Sequence, residues 1–177
     1  DLLAAGKLDW TGMFIPNPDD VTANGAIEWI NTPQDPTVLY TCSNAELGCT
    51  GPQTDVAVRQ ALNVAIDRAA IKDKAFVGLT GDISPTFALL PRDEKWVADA
   101  ADEVSPQEAD AAEAGDILEA AGYTKDGDFY AKDGTPLELS LISVDGWTDY
   151  NSAAKLIAEQ AEAAGIKITA STVQWQE

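Results

Sequence analysis

The sequence contains no histidine, and only two cysteines and one methionine occur among its 177 residues. Without an imidazole side chain, the usual zinc, haem and serine-histidine-aspartate sites each lose a principal residue. Two isolated thiols are too few to hold a metal ion. We therefore expect no metal centre, no cofactor and no histidine-based catalytic triad in this chain.

Basic residues are scarce, since eleven Lys and Arg residues stand against thirty Asp and Glu residues, for a formal net charge of −19. This charge repels phosphate backbones and anionic lipid headgroups, so nucleic acids and anionic membrane surfaces are not expected partners. Its simplest role is solubility. An acidic surface can also attract cationic peptides over a long range, and a charge total does not distinguish the two roles.

Long apolar runs are absent as well. No stretch approaches the roughly 18 apolar residues of a membrane-spanning helix, and no basic start precedes an apolar run as in a signal peptide. The chain begins at Asp1 inside a patterned segment, so we interpret it as an excised piece of a longer protein whose signals can have been removed. Its length and its 45% hydrophobic content fit one domain, residues 1–177, with a buried core.

The two cysteines, Cys42 and Cys49, are separated by six residues that include an asparagine and a glycine. A pair that brackets such a loop is typical of a local disulfide in an oxidising compartment. The alternative is a pair of reduced, buried thiols.

The hydrophobic spacing alternates between strand and helix periods along the chain. It predicts strands at 9–15, 26–30, 37–41, 137–144 and 166–170, helices at 56–66, 68–76, 105–122 and 153–164, a loop with a short helical turn at 80–104, and a hairpin turn at 126–134. Ser105 is predicted to cap its helix, with Pro106 in the first position and Glu108 completing a capping box. The strand-helix-strand order of the last third implies a parallel pair with a crossover helix, so the fold class is α/β.

Residues 55–68, DVAVRQALNVAIDR, form an amphipathic helix in which Asp55 and Arg59 share an exposed face and Asp67 can cap the next helix. Three further blocks accompany it in order: LAAGKLDW at 3–10, ILEAAGY at 117–123, and a last third with KDGTPL at 132–137, KLIAEQ at 155–160 and AGIKI at 164–168. Together these blocks resemble the family 5 extracellular solute-binding proteins of ABC importers.

This resemblance implies a type II periplasmic-binding-protein-like lobe, with a mixed sheet flanked by helices. The chain would be most of the second, C-terminal lobe of a two-lobed receptor whose first lobe is absent. The intact receptor would close around a peptide by a hinge motion and deliver it to a membrane permease, with no bond broken. We expect an extracellular or periplasmic monomer, anchored as a lipoprotein at full length.

The expected ligand contacts lie in residues 144–150, between a strand and its crossover helix, because ligands in α/β sheets gather beyond the carboxyl ends of strands. Trp147 offers an apolar face for stacking, and Asp149 and Tyr150 offer polar groups. Alternatively, Thr148 or Asp149 only caps the helix and Trp147 only fills the core. The resemblance adds two further expected ligand contacts. Trp175 corresponds to a position near the cleft in the family. Asn44 is a substitute for an asparagine that follows a strand in relatives.

The ligand class stays open between peptides, bound by most relatives, and oligosaccharides, because the run GWTDY at 146–150 is similar to that of oligosaccharide-binding relatives. An extracellular carbohydrate-active enzyme is another alternative, although it needs two carboxylates about 5 to 9.5 Å apart across one bond, and no spacing here selects such a pair. An adhesive module would share the acidity and the predicted disulfide. It would not be expected to carry four blocks of the receptor pattern.

Overall fold

The computed structural model describes residues 2–31, 36–81, 88–89, 91–98 and 106–176. The chain divides into two compact units, residues 1–34 and 35–177. The assignment of residues 1–177 to one domain stays a prediction. The first unit gathers apolar side chains, among them Leu3, Met13 and Ile27, around a recess of its own.

The first unit contains one short helix, α1 (Pro18–Thr22), which begins with a proline at its first position. The strands predicted at 9–15 and 26–30 are wrong, since no strand occurs among residues 2–31. The strand predicted at 37–41 is also absent from the second unit. Extended backbone becomes a strand only where a neighbour supplies ladder hydrogen bonds, and within the described ranges no neighbour pairs with these segments.

The second unit confirms the α/β class. Its elements are α2 (Val56–Ala65), α3 (Arg68–Lys74), α4 (Ala111–Ala120), β1 (Thr124–Asp126), β2 (Phe129–Lys132), β3 (Thr135–Pro136), β4 (Glu138–Val144), α5 (Thr148–Ala163) and β5 (Lys167–Val173). Strands β1, β2 and β3 form an antiparallel sheet, which confirms the predicted hairpin, and β4 pairs with β5 in parallel. A short helical turn at Glu94–Trp96 confirms the described part of the predicted loop. None of the helices in the described ranges combines the length and apolarity needed to cross a membrane.

The core of the second unit forms where α2 and α4 pack against the residues that lead into β4 and β5. Val58, Leu118, Leu137 and Ile166 are fully buried there. Burial of each such side chain contributes roughly 1.5–3 kcal/mol. The helical stripes predicted for α2 and α4 therefore face a real core, which holds the two parallel strands in place.

Helix α4 begins directly after Asp110, five residues later than predicted. Asp110 caps the helix, accepting a 2.8 Å hydrogen bond from the backbone amide of Glu113. The carbonyl oxygen of Pro106 instead accepts a 3.1 Å hydrogen bond from the guanidinium of Arg68. This contact ties the segment before α4 to α3 and takes it out of the helix. Ser105, the predicted cap, lies outside the described residues.

Strands β4 and β5 share one register from end to end. Glu138 pairs with Lys167 at one end, and Val144 pairs with Val173 at the other. Both strands therefore stop at the same edge of the sheet, and the loops that follow them leave from neighbouring positions.

Candidate functional site

Two tryptophans meet beyond this edge of the sheet. Trp147 follows Val144 by three residues, and Trp175 follows Val173 by two residues. Their rings stack, with centroids 5.1 Å apart and ring planes inclined by 30°. The pairing of the two strand ends thus brings together two indoles that are 28 residues apart in sequence.

A tight turn places Trp147 at the start of α5. Gly146 adopts a φ of 84°, which only glycine takes without strain, and the backbone amide of Trp147 donates a 3.1 Å hydrogen bond to the carbonyl of Val144. The carbonyl of Trp147 then accepts the first helical hydrogen bond, 2.8 Å from the amide of Asn151. The main chain of Trp147 is therefore held by hydrogen bonds to both the strand and the helix.

Two further rings extend the stack. Tyr150 lies one helical turn after Trp147, with ring centroids 5.4 Å apart. Phe76, just beyond α3, meets Tyr150 edge-on at 5.7 Å. Phe76 is buried. The hydroxyl groups of Thr37 and Tyr150 form a 3.4 Å hydrogen bond. We call Phe76, Trp147, Tyr150 and Trp175 the aromatic cluster.

The outer rings of the aromatic cluster face solvent. Trp147 is 43% exposed, Tyr150 is 38% exposed and Trp175 is 71% exposed. Core filling therefore does not account for Trp147. Adjacent exposed aromatic rings form an apolar surface of the kind that proteins use for binding.

Asp149 occupies the second position of α5 and is half-buried. The capping position belongs to Trp147, and no side chain makes a capping hydrogen bond there, so neither Thr148 nor Asp149 caps the helix. A carboxylate in the first helical turn is stabilised by the helix dipole. Asp149 thus places a carboxylate in the first turn of α5, between Trp147 and Tyr150 in the sequence, without serving as the cap.

Asn44 lies in the loop between the cysteines. Its side-chain oxygen accepts a 2.9 Å hydrogen bond from the amide of Glu46, which caps the short 3-10 helix Ala45–Leu47. Its backbone carbonyl accepts a second bond from the amide of Cys49, at 3.2 Å. These interactions are internal to the loop, so they give no support to the ligand contact predicted for Asn44.

Cys42 and Cys49 form a disulfide in the structure, with Cα atoms 5.4 Å apart. Cys42 also borders a recess of about 370 Å³ beside β4, whose other walls include Leu39, Leu141 and Ile157. The disulfide therefore closes a small loop next to the sheet. Over the parts of the chain that the structure describes, no three Cys, Asp or Glu side chains are grouped as a metal ion would require.

The sequence did not reveal the roles of three contributors to the site. The sequence marks Phe76 only as an apolar residue at the end of a helix. This predicts that Phe76 is buried, but it does not identify the ring that Phe76 contacts. Asp145 and Gln174 lie in the two loops that carry the indoles, and their side chains are hydrogen-bonded at 3.1 Å. Only the register of β4 and β5 brings these two residues together.

The chain is 32% identical over 123 residues to Protein XP55 of Streptomyces lividans, a match covering 69% of this chain and 21% of that protein. It is 30% identical over 128 residues to a probable ABC transporter-binding protein of Deinococcus radiodurans, covering 70% of this chain and 20% of that protein. This chain thus matches about a fifth of the length of each relative.

A similar solved structure is that of an oligopeptide ABC transporter, periplasmic oligopeptide-binding protein of Thermotoga maritima, with a TM-score of 0.77 and 22% identity. The match covers 99% of this chain and 34% of that protein, and it supports the fold. All of residues 1–177 match the sequence profile of the bacterial extracellular solute-binding proteins, family 5 (middle). The chain therefore belongs to the family 5 bacterial extracellular solute-binding proteins.

Proposed function

We propose that this chain is part of the solute-binding component of an ABC importer and that its aromatic cluster holds an oligosaccharide for delivery to a membrane permease. The observation that carries the ligand class is the exposed stack of Trp147 on Trp175. A sugar ring presents an apolar face of C–H groups, and a flat indole buries such a face without leaving polar groups unpaired.

The neighbouring groups suit this ligand. Tyr150 carries a hydroxyl at the rim of the stack, where it already interacts with the hydroxyl of Thr37. Such a group can both donate and accept hydrogen bonds, as sugar hydroxyls require. Apolar stacking with a few polar groups is typical of small-molecule sites in proteins.

A peptide is the second candidate, favoured by the position of Asp149. This half-buried carboxylate lies at the start of α5, close in sequence to Trp147 and Tyr150, and can pair with a peptide amino group. The net charge of −19 would also steer cationic peptides towards the protein. Aromatic peptide side chains could then use the stacked indoles.

The remaining features of the whole protein belong to the same proposal. The chain would be most of one lobe of a two-lobed receptor that closes around its ligand by a hinge motion. We infer that the receptor is monomeric, is anchored outside the membrane as a lipoprotein and breaks no bond in its ligand. The isolated lobe should bind weakly, because the partner lobe supplies the other contacts and excludes water.

The test uses the full-length protein with cellohexaose, mannohexaose and a panel of short peptides. A bound ligand raises the Tm by mass action, so a thermal-shift screen identifies the ligand class, and calorimetry then gives the affinity. Trp147→Ala should weaken oligosaccharide binding by roughly fivefold to 150-fold, since stacking of one nucleic-acid base on an aromatic side chain contributes about 1–3 kcal/mol.

Trp96→Ala is the matched control, because Trp96 is 76% exposed and lies outside the aromatic cluster. It should leave the affinity unchanged. Equal affinities of the wild type and Trp147→Ala would remove the aromatic cluster from the site. A Tm shift with peptides alone would favour the second candidate, and hydrolysis of any probe would revive the enzyme alternative.

A further inference from the structure

We propose that Asp145 and Gln174 act as a positioning pair that holds Trp147 and Trp175 in their stacked arrangement before ligand arrives. This inference rests on the proposed function of the aromatic cluster and names the residues that preset it. Neither residue needs to touch the ligand.

The pair joins the two loops directly. The side-chain amide of Gln174 donates a 3.1 Å hydrogen bond to Asp145 Oδ2. The backbone amide of Asp145 donates a 2.8 Å bond to the carbonyl of Val173, the last residue of β5. The main chain of Asp145 is therefore bonded to β5, and its carboxylate accepts a hydrogen bond from Gln174, the residue that follows β5.

The position of the pair explains its effect on the rings. Asp145 precedes Trp147 by two residues, and Gln174 precedes Trp175 directly. The last strand pair, Val144 with Val173, lies just before both of them. The hydrogen bond thus continues the connection between the strands one step beyond the sheet, at the base of the two indoles.

Presetting matters because the rings are exposed. An exposed tryptophan on a loop can adopt several rotamers, and ordering it on binding costs free energy that lowers the affinity. A stack that is already formed avoids this cost. Loosening the pair should therefore weaken ligand binding even though the rings themselves are unchanged.

The same two strands offer a matched control at their other end. Lys167 Nζ lies 2.7 Å from Glu138 Oε1, and both side chains are about half exposed. Removing this ion pair also removes a cross-strand side-chain contact of β4 and β5. It lies at the opposite end of the register from the indoles.

The experiment compares Asp145→Ala, Gln174→Ala and Glu138→Ala in the full-length protein. Stacked indoles couple their transitions, so the circular dichroism spectrum of the wild type minus that of Trp147→Phe contains the coupling of Trp147 to Trp175 together with its coupling to Tyr150. We call this difference the stack signal, because a variant that separates the two indoles reduces it. Each variant is prepared with and without Trp147→Phe. Asp145→Ala and Gln174→Ala should lose at least about half of the stack signal, whereas Glu138→Ala and the conservative Asp145→Asn, which keeps an acceptor oxygen, should retain it.

Affinity for the probe that raises the Tm most, cellohexaose or mannohexaose, gives the second readout. Asp145→Ala and Gln174→Ala should each weaken binding by about fivefold, as loss of one hydrogen bond predicts, and the double variant should weaken it no further. An unchanged stack signal in both single variants would overturn the positioning role. A reduced signal with unchanged affinity would support the positioning pair and refute the ligand role of the aromatic cluster, so the two proposals fail separately.

Discussion

Lys132 and Asp55 form an ion pair that joins β2 to the start of α2, with Nζ 3.1 Å from Oδ2. The same carboxylate accepts a 3.2 Å hydrogen bond from the hydroxyl of Tyr123, whose ring lies 4.9 Å from the Lys132 ammonium. Asp55 also caps α2 by accepting a 3.0 Å bond from the amide of Ala57. One side chain therefore connects a helix, a hairpin and the turn after α4.

Asp55→Ala should lower the free energy of unfolding by about 2 kcal/mol. Loss of a helix cap costs about 1 kcal/mol, and a partly buried hydroxyl without its acceptor costs a similar amount. The ion pair adds little because both partners are partly exposed. Asp55→Asn is the control, since asparagine also caps helices. Denaturant unfolding should show a clearly smaller loss for Asn, and equal losses would contradict the capping role.

The acid side of the stability profile should also depend on Asp55. The hydrogen bond from the Ala57 amide, aided by Lys132, lowers the pKa of this carboxyl from its ordinary value of 3.8. A lowered folded-state pKa stabilises the fold above pH 3.8, and this contribution is lost as the pH falls through the lowered value. The free energy of unfolding should therefore fall less steeply in acid for Asp55→Asn than for the wild type. Parallel acid profiles would contradict this.

Tyr123 makes a matching prediction at alkaline pH. Burial and the adjacent Asp55 carboxylate raise the pKa of Tyr123 from 10.0 to about 12. A raised folded-state pKa means that stability is fully present below pH 10 and declines as the pH rises through about 12. Ultraviolet titration should show a phenolate forming near pH 12 that is missing in Tyr123→Phe. That variant should also lose less stability over the same range, and ionisation of Tyr123 near pH 10 would sink the prediction.

Gly165 tests the packing around Tyr130. A Cβ at this position would lie 2.8 Å from Tyr130 Cδ2, and the backbone φ is 78°. Gly134 has a similar φ of 75° and open space around it. Gly134→Ala should therefore cost about 1 kcal/mol from backbone strain alone, and Gly165→Ala about 3 kcal/mol because Tyr130 must also move. Chemical denaturation measures both losses, and equal losses would refute the steric contribution.

The disulfide should stabilise the protein without determining its fold. Cys42 and Cys49 close a loop of eight residues, for which the entropic contribution is about 2.5 kcal/mol. None of the residues in the buried core clusters belongs to this loop. Reductant should lower the Tm of the wild type, leave its circular dichroism spectrum intact and have no effect on a Cys42→Ser/Cys49→Ser variant. A reductant effect on that variant would contradict the assignment.

The sequence was most informative where a local signal marks an element. Asp67 was predicted as a cap, and its carboxylate accepts a 2.7 Å bond from the amide of Ala70 at the start of α3. Gly122 was predicted to end α4, and its φ is 88°. The strand-helix-strand order of the last third was sufficient to predict the parallel pair, and with it the shared edge where Trp147 and Trp175 lie.

Contacts between distant segments could not be predicted in this way. Asp55 was expected to share an exposed helix face with Arg59, four residues away. Arg59 instead donates to the carbonyl oxygens of Gln53 and Thr54 at 2.9 and 3.1 Å, while Asp55 pairs with Lys132, 77 residues along the chain. Such partners depend on how the elements pack, which no local pattern records.

The alternation of side chains along β5 makes the aromatic cluster sensitive to the length of this strand. Inserting a single residue into this strand would turn Trp175 towards the reverse side of the sheet and separate it from its neighbour. Exchanging the side chains at positions 147 and 175, by contrast, leaves the pairing of β4 and β5 unchanged. The length of β5 therefore sets where the two indoles meet, and the residues of two short loops set the chemistry of the surface that they form.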